Sequence, residues 1–243
     1  MQDKILLIGG TKGIGKDLAL SLLKNKSKIF IISRNKIKKN DELNNYKDLV
    51  HLQCDISKNK DLKKLINILK KKKLTFSKVI HLVGGSLGKY NIDSNYSDFK
   101  KVWDLNFGYV VDMNNFLIRD MIKKKNGRIV HLTASAVESL SAPISYICAK
   151  SSLNTYIRKM GQEYIKLGIV FSAISLGPVE IKGRFMTDEM KKNTSTWKKF
   201  KNYHLPGKRL TKTREVINVI NFLISDLASY NSGAIWNVDG SYR

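Results

Sequence analysis

A doubly wound α/β sheet, with parallel strands and helices on both faces, is the fold class that this 243-residue chain predicts. Three observations carry that expectation. Short runs rich in Ile, Val and Leu recur seven times, helix-length amphipathic stretches separate most of them, and the runs are continuously apolar rather than alternating, as strands covered on both faces are. A hydrophobic share of 42% at this length suffices for one full core, and three prolines with no Pro-, Gly- or Ser-rich interior stretch leave no linker to divide it. One domain over residues 1–243 is expected.

The first strand, Lys4 to Ile8, runs into "GGTKGIG" and a helix from Gly13 to Asn25. The second, Lys28 to Ser33, ends in "SRN", and the third, Leu49 to Cys54, ends in "CDIS". A helix at Asp61 to Lys73 leads to a fourth strand, Lys78 to Val83, and a long helix at Phe99 to Lys124 leads to a fifth, Arg128 to Thr133. The helix Ser145 to Leu167 precedes strand Ile169 to Leu176, and the helix Thr213 to Ser225 precedes the last strand, Ala234 to Val238. In such a sheet ligands collect at the carboxyl ends of the strands. Candidate chemistry is sought there.

Forty-four Lys and Arg against 20 Asp and Glu give a formal charge of +24, which raises the question of nucleic acid or an acidic membrane. The lysines, however, are scattered through "NKIKKND", "LKKLINILKKKK", "MIKKKNGR" and "WKKFKN", beside many Ile and Asn, on helical or loop segments. They read as solvated faces, so neither nucleic acid nor membrane is an expected partner. The apolar run near the N-terminus ends at Ile8, too short for a signal-peptide core or a membrane span, so a cytoplasmic location is expected. Cys54 and Cys148 have no second Cys or His at metal-ligand spacing, which argues against zinc and against a disulfide framework; no metal site is expected.

Gly9, Gly13 and Gly15 form GxxxGxG between the first strand and the first helix, with Thr11, Lys12 and Ile14 between them. Glycines let backbone N–H groups approach a diphosphate, and the helix start offers unpaired donors and positive dipole to the anion. The turn is therefore expected to hold a dinucleotide. At the end of the second strand, where an acidic residue would hold the ribose of NAD, the chain has Ser33 and Arg34. Arg34, with Lys12, would attract a 2′-phosphate, so NADP(H) is expected in preference to NAD(H). In "SYICAKSSL", Tyr146 and Lys150 are four positions apart on one helix face, where the ammonium would favour the phenolate and lower the tyrosine pKa. Tyr146 is the expected general acid.

These residues, taken with "VWDLNFG", "GRIVHLTAS", "SLGPVEIKG" and "FLISDLASYNSGAIWNVDG", resemble the short-chain dehydrogenase/reductases, single-domain Rossmann enzymes that include 3-oxoacyl reductases. The resemblance spans nearly the whole chain. It implies that Tyr146 gives a proton to a carbonyl oxygen as hydride arrives from the nicotinamide, that Lys150 depresses the Tyr146 pKa and binds the nicotinamide ribose, and that Asn106 holds a relay water. It further implies that Asp55 and Ile56 contact adenine and that Gly177, Pro178 and Val179 frame the nicotinamide. The implied substrate is a small or carrier-bound ketone or secondary alcohol, either a 3-oxoacyl thioester or a sugar or other polar metabolite. The implied assembly is a homo-oligomer, tetramer or dimer, with the Phe99 to Lys124 and Ser145 to Leu167 helices at one interface.

Two departures from the family pattern carry expectations of their own. In place of "NNAG" the chain has "HLVGG"; Gly84 and Gly85 keep the close backbone approach with altered bracing, and His81 is read as a packed strand residue. At the end of the fifth strand, counting from "GRIV" puts Ala134 where the family has its catalytic serine, and counting back from Tyr146 reaches Thr133. The hydroxyl must come from Thr133 or Ser135, and the freely rotating Ser135 is favoured. Residues 180–206 occupy the place of a variable substrate lid, in which Phe185, Met186, Trp197 and Phe200 could cover an apolar substrate and Arg184, Lys198 and Lys199 could recruit an anionic one. The departures also leave open a catalytically degenerate NADP(H)-binding regulator or scaffold.

Overall fold

The strands lie where the apolar runs place them. The computed structural model describes residues 4–88 and 95–242, and β1 (Lys4–Ile8), β2 (Lys28–Ser33), β3 (Leu49–Gln53), β4 (Lys78–His81), β5 (Gly127–Ala134), β6 (Ile169–Leu176) and β7 (Ile235–Val238) pair in parallel in the order β3-β2-β1-β4-β5-β6-β7. The chain builds outward from β1 to β3 and then returns to lay β4 on the other side of β1. The change of direction therefore falls between β1 and β4, where an open α/β sheet parts its loops into a crevice.

Helices cover both faces. On one, α1 (Gly13–Lys24) and α9 (Thr213–Leu223) bury Leu18, Ala19, Leu22, Val216 and Ile220 against Leu7, Ile31 and Ile80. On the other, α2 (Asn59–Lys71), α4 (Tyr109–Lys124) and α6 (Ile144–Tyr164) bury Leu65, Leu69, Met113, Leu117, Leu153 and Ile157 against Ile32, Val79 and Phe171. Successive strand residues point to opposite faces, so a continuous apolar run supplies both cores. No helix among the described residues is long and apolar enough to cross a membrane.

Several elements differ from expectation, among them a short helix, α5 (Ala136–Ser139), after β5. The single long helix expected over Phe99 to Lys124 is α3 (Tyr96–Trp103) joined to α4 through a π-turn at Asp104–Gly108. The widened turn carries Asn106, fully buried, whose amide donates to the Val102 carbonyl at 2.7 Å, four residues back. Within the lid segment, for which no elements were expected, α7 (Phe185–Lys192) and α8 (Ser195–His204) form. Thr194 starts α8 by accepting the Trp197 N–H at 3.1 Å, and Trp197 anchors it in a small third core with Leu205 and Leu210.

Candidate active site

Gly9 ends β1 at a φ of +102°, and a Cβ there would fall 2.7 Å from Cγ2 of Val83. The loops after β1 and β4 thus touch at the switch point of the sheet. A Cβ on Gly15 would run into the carbonyl oxygen of Gly9, and Gly13 holds a φ of +51°. Lys12 at the N-cap of α1 makes no side-chain cap, and the first turn has no acidic residue. The first amides of α1 therefore have no protein anion, in a cradle that any Cβ would fill. These residues fit the diphosphate of a dinucleotide.

Two adjoining cavities open from this turn. One, of about 820 Å³, extends to Tyr146 and Lys150 and contains Gly13 to Gly15 and Gly177 to Val179 in its wall; the other, of about 540 Å³, extends along the ends of β2 and β3 past Thr11, Ser33, Arg34, Asp55, Ile56 and Gly85. Gly9, Lys12, Gly84 and Arg184 belong to both. Every residue assigned to the cofactor from sequence lines one or the other. Within the second cavity, the Ser33 hydroxyl is held by the Asn35 carbonyl at 2.9 Å and by Nε2 of His51 at 2.8 Å, which leaves the exposed Arg34 as the group free to meet a phosphate. Asp55 accepts from the amide and hydroxyl of Ser57 at 3.2 and 2.7 Å, which fixes the turn after β3.

Tyr146 and Lys150 lie one turn apart near the start of α6, and the Lys150 Nζ is 5.8 Å from the centre of the Tyr146 ring. Lys150 is buried and donates to the Leu132 carbonyl at 2.8 Å; burial brings its pKa down to about 7. Burial pushes the Tyr146 phenol up to about 12, and the charge that opposes this is that of Arg184. This corrects the expectation that Lys150 lowers the tyrosine pKa, because an amine with a pKa of about 7 is already uncharged in the range where the phenol titrates. At neutral pH the phenol is protonated.

Asn106 and Ser135 line neither cavity. The Asn106 amide donates to the Gly85 carbonyl at 2.9 Å as well as to Val102, and its Oδ1 accepts the Gly85 N–H at 3.0 Å. The Asn106 side chain is thus the brace of the loop after β4, the altered bracing expected from loss of the "NNAG" asparagines. A Cβ on Gly84 would lie 2.7 Å from Asn106 Oδ1 and 3.0 Å from Lys150 Nζ, so this glycine lets brace and ammonium pack together. The Ser135 hydroxyl turns into the sheet and donates to the Leu176 carbonyl at 3.0 Å. Thr133 and Ala134 face the cavity instead, and Thr133 Oγ1 keeps only a long 3.4 Å bond to the Ile174 carbonyl. The preference for Ser135 over Thr133 is reversed by this orientation. In the lid, Phe185, Met186 and Arg184 line the reaction cavity, whereas Trp197 and Phe200 belong to the third core and Lys198 and Lys199 are exposed outside both cavities.

Sequence reasoning missed a buried polar bridge below Lys150. His81 and His131 face each other in register across β4 and β5 and stack at 4.6 Å. Asn114 of α4 joins them, its Oδ1 3.0 Å from His81 Nε2 and its Nδ2 3.1 Å from His131 Nε2. The amide makes Nε2 of His81 a donor and Nε2 of His131 an acceptor, and Nδ1 of His131 then donates to the Ser172 carbonyl at 3.4 Å. Burial holds both histidines neutral, His81 at about 3 and His131 well below its ordinary value. The available signal was the twin runs "VIHL" and "IVHL", which place a histidine at the same point of adjacent strands.

A family model described as enoyl-(acyl carrier protein) reductase matches residues 9–243. The 3-oxoacyl-(acyl-carrier-protein) reductase FabG of Buchnera aphidicola subsp. Schizaphis graminum is 26% identical over 97% of this chain and 95% of its own length. Among solved structures, ElxO with NADP bound superposes with a TM-score of 0.86 at 25% identity, covering 100% of this chain and 99% of that one. A short-chain dehydrogenase from Leptospira borgpetersenii serovar Hardjo-bovis with bound NAD+ gives 0.85 at 19% identity, covering 99% and 92%.

Proposed function

Because the chain belongs to the short-chain dehydrogenase/reductase family of oxidoreductases, we propose that it interconverts a ketone and a secondary alcohol with NADP(H) as the preferred cofactor. The observation that supports this most is that Tyr146, Lys150 and the glycine turn line one cavity. The residues Gly9 and Thr11 to Gly15 would hold the diphosphate, Arg34 with Lys12 the 2′-phosphate, Asp55 and Ile56 the adenine, and Gly177 to Val179 the nicotinamide. When bound, the nicotinamide supplies or takes the hydride. Tyr146, protonated at neutral pH, gives its proton to the carbonyl oxygen in the reducing direction and recovers one from the alcohol in the other. Lys150, which lines the same cavity one turn along α6, would bind the nicotinamide ribose. Thr133 offers the substrate oxygen the hydroxyl that Ala134 lacks.

The solved relatives were captured with either nucleotide, so Arg34 carries the choice of NADP(H). Titration of the protein with NADPH and NADH, followed by nicotinamide fluorescence and repeated on Arg34→Ala, tests it. Preference for NADPH that disappears in the variant is the expected result; equal binding of the two by the parent overturns the cofactor assignment, and binding of neither overturns the enzyme reading. A 3-oxoacyl thioester or a polar metabolite is the substrate class, and a homo-oligomer built through α4 and α6 in the cytoplasm belongs to the same reading. The reading as a nucleotide-binding regulator draws on Ala134, and it requires that Tyr146→Phe leave every cellular function intact.

A further inference from the structure

Cations gather where the two cavities meet. Lys12, Lys182 and Arg184 line the reaction cavity beside Lys150, and no Asp or Glu among the described residues contributes to its wall. Arg184, like Lys12, lines both cavities, which places it at their junction; it stands apart from the others because its charge is the one that acts on the Tyr146 phenol.

The backbone at this point is built. Arg184 N–H donates to the Ile181 carbonyl at 3.1 Å, closing a turn, and Ile181 N–H donates at 3.0 Å to Oγ1 of Thr187, which is 1% exposed. Arg184 occupies the N-cap position of α7, yet its side chain makes no cap. No carboxylate among the described residues forms an ion pair with it. A guanidinium with a fixed root and no protein partner offers a fork of donors matched to a carboxylate or phosphate. Lys198 and Lys199, equally charged, lie exposed on α8 outside both cavities and have no such setting.

We infer that the substrate is an anion, a ketone or secondary alcohol bearing a carboxylate or phosphate group that Arg184 binds while Tyr146 meets the reacting oxygen. The inference rests on the oxidoreductase reading above and narrows its substrate class. Phe185 and Met186, which line the same cavity, cover the carbon skeleton between the two polar ends.

Calorimetry on the protein saturated with NADP+, which blocks reduction of a ketone, tests this with two matched pairs: acetoacetate against methyl acetoacetate, and dihydroxyacetone phosphate against dihydroxyacetone. The anionic member of one pair binds at least tenfold tighter than its neutral partner, and the pair that shows it identifies the anion as carboxylate or phosphate. Arg184→Met weakens that anion by about ten- to a hundredfold, the range for loss of a charged hydrogen bond, and leaves the neutral partner unchanged. The Lys198→Met/Lys199→Met double variant changes neither, which separates a site from the general attraction of a +24 surface. Equal affinities within both pairs, no binding of any of the four, or a preference that survives Arg184→Met overturns the inference and leaves the oxidoreductase reading standing. Failure of NADP+ and NAD+ to bind before ligand is added takes down both.

Discussion

The two sides of the sheet are built from the same strands and bury different chemistry. Beneath α1 and α9 the contacts are hydrocarbon, from Leu18 and Ile220 to Leu7 and Ile80. Beneath α4 and α6 a similar hydrocarbon core surrounds His81, His131, Asn114, Asn106 and Lys150, each 2% exposed or less. Neighbouring residues of one strand, Ile80 and His81 or Val130 and His131, are divided between these environments by the alternation of strand side chains. The lesson is that one face is free to serve stability alone, while the other carries buried polar groups that survive only through mutual pairing. The pairing is incomplete: Nδ1 of His81 and the hydroxyl of Tyr109 have no hydrogen-bond partner among the described residues.

The sharpest test separates rate from stability. Tyr146→Phe, on the polar side, is expected to lower kcat by about 10²- to 10⁴-fold with little change in melting temperature, since only a hydroxyl that gives a proton is lost. Once a turnover assay is in hand, a wild-type rate in this variant breaks the comparison. On the dry side the effect inverts: Leu18→Ala removes a fully buried side chain and should cost about 2–5 kcal/mol in denaturant unfolding, with kcat per folded molecule retained.

A smaller effect is expected from Asn114→Leu, which keeps the volume and removes the amide between the histidines. Two buried ring nitrogens lose their partner, at about 1–3 kcal/mol by chemical denaturation. A neutral or stabilised variant would mean that the bridge contributes specificity rather than stability.

The gentlest probe is pH. Both histidines titrate lower folded than unfolded, so the unfolded chain binds more protons below about pH 6.5, the ordinary histidine value. Stability therefore falls as pH drops through that point, and for His81 it continues to fall to about pH 3. Lys150 acts in the same direction at the other end: with its folded pKa near 7 against an ordinary 10.5, stability should rise from pH 7 towards 10. The His81→Gln/His131→Gln double variant is expected to flatten the acid slope, and Lys150→Met the alkaline one. Unchanged slopes in unfolding curves measured across pH would show that the polar side is not what couples this fold to protons.

Strands, most helices, the glycine turn and the Tyr146–Lys150 spacing were legible in the sequence because each is local. Apolar runs and 3.6-residue periodicity are properties of neighbours in the chain, and a glycine demanded by positive φ at Gly9 or Gly13 reports on its own backbone. What could not be read from such patterns was which side chain points where after the strands meet. Thr133 rather than Ser135 lines the cavity because Ser135 falls just past the end of β5 and turns its hydroxyl onto the Leu176 carbonyl of β6. Asn106 finds Gly85, Asn114 finds two histidines, and the charge of Arg184 reaches the buried Tyr146, all between residues 17 to 38 positions apart. Local periodicity determined the scaffold and the place of the cleft; the orientation, burial and charge of the groups inside it were decided by tertiary packing, because those depend on distances in space that chain spacing does not encode.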